Sequence, residues 1–174
     1  MLTYDASSAQ CLVYSYKEGL LSKIAHDLKH RATRFALAID EQAGAIHAEI
    51  DARSLRVECV MKDAQESTDT ISDDDRKKIE GQIVEDVLHA NQHPLITFQS
   101  TAVSPEADGF KIDGVLELNG HRKPVTTHAR RSNGHYAAEL TLHQPDFGIK
   151  PFSAMMGALK IKPDVIIRMV VPAR

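Results

Sequence analysis

The residues of this sequence best suited to chemistry lie in one short segment, His26-Asp-Leu-Lys-His30. Its two imidazoles are four residues apart, so they are adjacent on a helix and share one face if the segment is extended. With a third ligand this pair could hold zinc. The dipeptide His26-Asp27 also offers a base and a group that could orient it, which is the minimum for proton transfer. No HExxH motif or clearly placed third ligand follows, and the alternative is that His26 and Asp27 close a short helix by hydrogen bonding.

No other segment carries a catalytic signature. Asp146-Phe-Gly148 copies the metal-binding triplet of kinases, but the chain is too short for a kinase and has no glycine-rich loop, VAIK lysine or HRD loop. A Gly-x-Ser-x-Gly elbow, a P-loop and a dinucleotide fingerprint are also missing from the sequence. We therefore expect a non-enzymatic protein with no cofactor. The rival hypothesis is a metal-dependent or acid–base enzyme that uses His26, Asp27 and His30.

Composition limits the class of protein. The 174 residues are 43% hydrophobic and 26% charged, as in a soluble globular protein, and they predict one domain over residues 1–174. The net charge of −3 gives no basic surface for nucleic acid. Cys11 and Cys59 are too few for a disulfide framework. The N-terminus has neither the basic region nor the apolar run of a signal peptide, and no stretch is apolar enough to span a membrane, so we expect a cytoplasmic protein.

Most of the chain alternates apolar with polar residues, as strands with one buried face do. Phe35, Leu37 and Ile39, for example, share one face of a predicted strand. The alternating segments are 10–18, 29–40, 45–51, 54–61, 95–103, 109–118, 123–131, 135–143 and 159–171. Asn119-Gly120 predicts a tight turn, because both residues tolerate positive φ. One-faced strands with short connections favour an antiparallel sheet, and this many of them indicate a sandwich or a closed barrel.

Three segments depart from this pattern. Within 63–92, Ser72 can cap a helix that opens with Asp73-Asp-Asp75, where negative charge suits the helix dipole. Apolar residues at helical spacing follow it: Ile79, Ile83, Val84 and Val87. They predict one substantial helix over 73–90. The segments 19–28 and 145–158 are irregular, and both contain apolar residues that no strand face explains.

The order of several motifs resembles the YceI family, lipocalin-like proteins named for polyisoprenoid binding. The motifs are Gly19-Leu-Leu-Ser-Lys-Ile-Ala-His-Asp27, Asn91-Gln-His-Pro-Leu-Ile-Thr-Phe98, Gly114-Val-Leu-Glu-Leu-Asn-Gly-His-Arg-Lys-Pro-Val125 and Asp146-Phe-Gly-Ile149. The similarity spans nearly the whole chain, and the ordered set is more specific than any single motif. The resemblance implies an all-β fold: an eight-stranded antiparallel lipocalin-like barrel, here with one substantial helix. It also implies that the barrel binds an isoprenoid, a quinone tail or another lipid-like ligand.

From this barrel we predict which residues contact the ligand. Apolar strand positions should point inward and line its path: Phe35, Leu37, Phe98, Leu116, Leu140 and Ile167. The two irregular segments should meet around one opening and contribute Leu20, Leu21, Ile24, Phe147, Phe152, Met155 and Met156. His26 and Asp27 should form the polar rim of this opening. The alternative is that the irregular segments simply plug the barrel.

Overall fold

The fold is known from a computed structural model that describes residues 1–18, 26–67 and 71–173. Its strands are β1 (Leu2–Asp5), β2 (Gln10–Ser15), β3 (Asp27–Ala32), β4 (Phe35–Asp40), β5 (Ala45–Asp51), β6 (Leu55–Lys62), β7 (Gln65–Ser67), β8 (Leu95–Glu106), β9 (Gly109–Leu118), β10 (His121–Ser132), β11 (His135–His143), β12 (Ser153–Ala154), β13 (Leu159–Lys160) and β14 (Asp164–Pro172). The helix α1 (Asp73–Gln82) continues into a π-helical turn, Ile83–Val87. Short 3₁₀ turns lie at Ala52–Ser54, Gln144–Phe147 and Met155–Gly157.

Twelve of the described strands form one curled antiparallel sheet in the order β1-β4-β5-β8-β9-β10-β11-β14-β2-β3-β6-β7. The strands β12 and β13 form a separate small hairpin. The prediction of an antiparallel all-β fold with one substantial helix is confirmed. The predicted number of eight strands is wrong, because 12 strands of the described residues form the main sheet.

The difference in strand number has a local cause. The predicted strand 29–40 is divided at Thr33-Arg34, where the chain turns a corner and changes its partners: β3 pairs with β2 and β6, whereas β4 pairs with β1 and β5. The Thr33 amide donates to the Ser54 carbonyl at this corner. The strands β1 and β7 have four and three residues, too few to show a clear alternation.

The helix begins as the sequence predicts. The Ser72 hydroxyl accepts a hydrogen bond from the Asp75 amide at 3.1 Å, so it serves as the N-cap. The helix packs against β6, where the Glu80 carboxylate accepts a bond from the Val57 amide at 2.9 Å. This contact lies beside the irregular register of the β3–β6 pair. Within the described ranges, no helix has the length and apolarity needed to cross a membrane.

Two of the sequence motifs meet at one end of the sheet. The side-chain amide of Asn119 donates to the Phe147 carbonyl at 3.1 Å, which ties the β9–β10 turn to the 3₁₀ turn after β11. Gly148 has φ of +64°, and a Cβ built there would lie 2.5 Å from the His121 ring. Glycine is therefore required by both the backbone and the space. These motif residues therefore hold the β9–β10 turn against the 3₁₀ turn after β11.

Alternation along β3 separates an inner from an outer face. Leu28 and His30 are buried toward the interior, whereas Lys29 and Arg31 pair with carboxylates on the outer face. The Lys29 ammonium lies 3.1 Å from one oxygen of Glu58, and the Arg31 guanidinium lies 2.8 Å from the other. Burial opposes ionisation of Glu58, but its hydrogen bonds from Arg31 and Lys29 outweigh this effect and hold its pKa below the ordinary value.

Candidate ligand cavity

The curled sheet encloses a cavity of about 750 Å³. Its lining is mostly aliphatic and aromatic, with contributions from nearly every strand of the sheet and from the helix side chains Ile79, Ile83 and Val87. The cavity runs along the strands, from Gln144 at one end to the β4–β5 turn, including Asp40, at the other. Its volume falls in the range of roughly 300–1,000 Å³ that is usual for small-molecule sites. The arrangement is that of an apolar channel walled by the curled sheet.

Most of the predicted strand positions line this cavity. They are Leu37, Phe98, Leu116, Leu140 and Ile167, and Phe152 from the irregular segment joins them. Phe35 is buried on the same side but belongs to a packed cluster with Tyr4 and Leu37 and does not reach the cavity. The even alternation of the strands accounts for this inward placement.

Three predicted contacts from the irregular segment 145–158 lie elsewhere. Phe147 is 3% exposed and packs among Leu116, Leu118 and Leu142, outside the lining. Met155 and Met156 are exposed at the end of the β12–β13 hairpin, and neither belongs to the lining. Their backbones adopt positive φ, at 52° and 54°, in the turn that joins the two strands of this hairpin. The geometry therefore does not support ligand contact by these three residues.

The other half of the predicted opening belongs to the segment 19–28. Leu20, Leu21 and Ile24 lie outside the described residues. Of the predicted polar rim, His26 is exposed and lines the cavity. Asp27 is not part of the lining, and its carboxylate accepts a hydrogen bond from the Lys17 amide at 2.8 Å.

The residues of the rival enzyme hypothesis are not brought together as a metal site. Asp27 and His30 lie at positions of opposite parity in β3, so they face opposite sides of the sheet. In the part of the chain that the structure describes, no group of three His, Cys, Asp or Glu side chains could hold a metal ion. Alternation along β3 thus places Asp27 and His30 on opposite faces of the sheet, whereas His26 and His30 both line the cavity.

One polar pair in the cavity wall was missed by the sequence analysis. His30 is 3% exposed, and its Nε2 lies 2.9 Å from the Ser15 hydroxyl oxygen. Burial lowers the pKa of His30 to about 4, so the ring is neutral at pH 7. Both residues line the cavity. The available signal was that His30 shares the parity of Leu28, which would have placed it on the buried face.

Glycine also shapes the cavity. Gly114 is buried at an inward position of β9, and a Cβ built there would lie 2.4 Å from the Phe98 ring. The missing side chain lets the Phe98 ring approach the backbone of β9 closely. Gly114 faces Ser100 beside a bulge in β8, which displaces the chain at Thr101. The position of Phe98 in the lining therefore depends on a glycine in the neighbouring strand.

The sequence is similar to that of a known protein family and of several bacterial relatives. Residues 5–173 match the family model described as a YceI-like domain. A stretch of 75 residues is 40% identical to a UPF0312 protein of Pseudomonas aeruginosa and covers 37% of this chain and 39% of that relative. Another of 45 residues is 44% identical to protein YceI of Shigella flexneri and covers 26% and 24%. These matches thus span less than half of each relative's length.

Solved structures resemble the chain over almost its whole length. BcnA of Burkholderia cenocepacia has a TM-score of 0.68 at 16% identity, with 98% of this chain and 99% of that chain covered. A polyisoprenoid binding domain from Saccharophagus degradans, implicated in plant cell wall breakdown, has a TM-score of 0.57 at 13% identity and covers 99% and 97%. The YceI protein of Campylobacter jejuni has a TM-score of 0.62 at 14% identity and covers 90% and 88%. At these identities the likeness shows the fold.

Proposed function

This chain belongs to the YceI-like family, and from that premise we propose that it binds and carries a long apolar ligand such as a polyisoprenoid or a quinone tail. The observation that carries the proposal is the apolar cavity of about 750 Å³ inside the sheet. A polyisoprenoid binding domain among the structures of the same fold supports this class of ligand.

The energetics of such a cavity are sufficient without an ion pair. Burial of one CH₂ group contributes roughly 0.8 kcal/mol, so a five-carbon isoprene unit contributes about 3–4 kcal/mol before the costs of binding. Two or three units would then reach about micromolar affinity after those costs. A slender chain suits a cavity that is long in the direction of the strands, because every unit contacts the wall.

A binding role also fits the chemistry of the lining. Several polar groups of the described lining are already engaged: the Thr127 hydroxyl donates to the Glu139 carbonyl, and the Gln144 side-chain amide donates to the Lys162 carbonyl. Groups held in this way maintain the wall. They are not positioned to transfer a proton to a ligand.

Native mass spectrometry of protein purified from its own host tests the proposal. We expect an apolar ligand to copurify, and polyprenols and quinones delivered from detergent to bind the stripped protein. Unfolded protein carried through the same delivery controls for adsorption. If no ligand copurifies and none of the delivered compounds binds, the carrier proposal fails. The cytoplasmic location expected from the sequence stays a prediction, which fractionation of host cells would test.

A further inference from the structure

We propose that Ser15 and His30 form a hydrogen-bonding site in the cavity wall that selects a neutral head group, namely a carbonyl or hydroxyl oxygen, on the apolar ligand. This inference rests on the proposed carrier function and adds the chemical class of the head group. It places head-group recognition in the wall, whereas the sequence predicted a polar rim.

The two side chains meet because their strands are paired. In the β2–β3 ladder, Ser15 lies opposite Leu28, and His30 lies opposite Val13. Ser15 and His30 are therefore diagonal neighbours on the inner face, within reach of each other. Their separation of 2.9 Å is that of a hydrogen bond. Both lie in a region of the wall that also includes Val13 and Leu28.

The proton on the ring can be assigned from its surroundings. Nδ1 of His30 is buried and has no hydrogen-bond partner among the residues that the structure describes. A proton at Nδ1 would leave a buried N–H donor unsatisfied, which costs more than a bare lone pair. The neutral ring therefore carries its proton on Nε2 and donates it to the Ser15 oxygen. His30 thus acts as a positioning residue for the serine.

This assignment leaves the Ser15 hydroxyl hydrogen free. The structure gives the Ser15 hydroxyl no partner other than His30 among the described residues. A hydroxyl that accepts one hydrogen bond still donates one. Ser15 lines the cavity, so its donor serves an acceptor atom on a molecule bound there. A ligand oxygen at this point would complete the chain from His30 through Ser15.

The charge of the lining decides between head groups. No lysine or arginine belongs to the described lining, whereas Asp40, Glu41 and Asp51 do. A phosphate or diphosphate would have to leave water without a cation to neutralise it, and this is costly. A quinone carbonyl or the hydroxyl of a polyprenol needs only one donor. The site therefore favours neutral oxygen over phosphorylated head groups.

Binding of three ligands with one carbon skeleton tests the inference: geranylgeraniol, its monophosphate and the corresponding hydrocarbon. The wild-type protein should bind the alcohol about threefold to tenfold more tightly than the hydrocarbon, the value of one net hydrogen bond. The monophosphate should bind more weakly than the alcohol. Ser15→Ala should remove the preference for the alcohol and leave hydrocarbon binding unchanged, whereas Ser15→Thr should keep the preference.

The matched control is Tyr136→Phe, which removes another hydroxyl from the lining without touching the Ser15–His30 pair. It should keep the preference of the wild type. A readout independent of any variant is ¹⁵N NMR of the wild-type histidines, which should show His30 with its proton on Nε2 and a change when the alcohol binds. A charged ring, or a preference for the alcohol that survives Ser15→Ala, would overturn the assignment.

The outcomes also separate this inference from the proposed function. If none of the three ligands binds, the carrier proposal itself fails. If hydrocarbon and alcohol bind equally to the wild type, the protein is an apolar carrier without the proposed head-group site. Tighter binding of the monophosphate would reject the selection of neutral oxygen while leaving the carrier role intact.

Discussion

At the scale of single residues, the buried ring of His30 links the cavity wall to pH. The ring is nearly fully buried and its pKa falls to about 4, compared with about 6.5 for a free histidine. The unfolded chain therefore binds this proton more readily than the folded chain. The contribution of the buried, neutral His30 to stability is therefore fully present above a pH of about 6.5 and is lost as the pH falls toward 4.

We expect His30→Leu to flatten the dependence of stability on pH. In the wild type, this histidine should account for a loss of about 3 kcal/mol in the free energy of unfolding between pH 7 and pH 4. Urea denaturation at a series of pH values measures how the free energy of unfolding changes with pH. The shifted carboxylates, such as Glu58, act at lower pH, because their pKa values lie below the ordinary range. His135→Leu, at an exposed position, is the matched control. An equal slope in His30→Leu and the wild type would contradict the burial argument.

The exposed methionines offer a second test at this scale. Met155→Ser combined with Met156→Ser should leave ligand affinity unchanged within about twofold, because neither side chain lines the cavity. Phe152→Ala, in the same segment but in the lining, should weaken binding about tenfold or more through lost apolar contact. Affinities for one polyprenol measured on both variants decide the matter. A large loss in the double serine variant would restore the sequence prediction that these methionines contact the ligand.

At the scale of elements, the sequence predicted best those strands whose alternating pattern is long. Long alternating strands such as β9 and β11 were predicted almost to the residue, because a period of two sustained over nine or ten residues is typical of a strand and of little else. The N-cap at Ser72 was predicted for a similar reason, since a capping hydroxyl followed by acidic residues is a specific signal. The corner at Thr33-Arg34 was not predicted, because it is set by the partners of the two strands and has no local signature.

The same distinction applies to the candidate site. Parity along a strand identified inward residues such as Leu140 and Ile167. The meeting of Ser15 with His30 depends on the register between β2 and β3, which one sequence does not reveal. The positions of Met155 and Met156 depend on backbone angles at a hairpin end and carry no periodic signal.

The pairing of β8 with β9 gives a prediction about packing. Gly114→Ala should destabilise the protein by about 1–3 kcal/mol, because the new Cβ would meet both the Phe98 ring and the backbone carbonyl of Gln99 at 2.7 Å. Gly81→Ala is the matched control, because Gly81 lies in α1 and no atom of the described residues lies within 4 Å of the new Cβ. It should stabilise the protein by roughly 0.5–1 kcal/mol through helix propensity. Thermal and urea unfolding of the two variants would show shifts of opposite sign, and a neutral Gly114→Ala would contradict the packing described here.

At the scale of the whole molecule, the sheet gives the cavity both its length and its width. The described lining reaches from Gln144 and Phe152 at one end to Asp40 at the other. Small residues on the inner face keep the channel open between these ends, among them Ala48, Ala129 and Ala138. A larger side chain at one of these positions would block the channel part of the way along, while the outer hydrogen bonds of the sheet stay in place.

This geometry predicts a limit on ligand length. Ala138 lies in β11, opposite Met169 of β14, at a partly exposed position of the lining. Ala138→Phe should place a ring in the channel and shorten the space available to an extended chain. We expect the variant to bind farnesol close to wild-type affinity but to lose at least tenfold in affinity for a longer polyprenol, because the far isoprene units would lose their apolar contacts. Ala137→Phe, at the neighbouring position outside the lining, controls for the size of the new side chain. Equal losses for short and long ligands would mean that the ligand does not lie along the strands, and unchanged binding of both would place it outside this cavity.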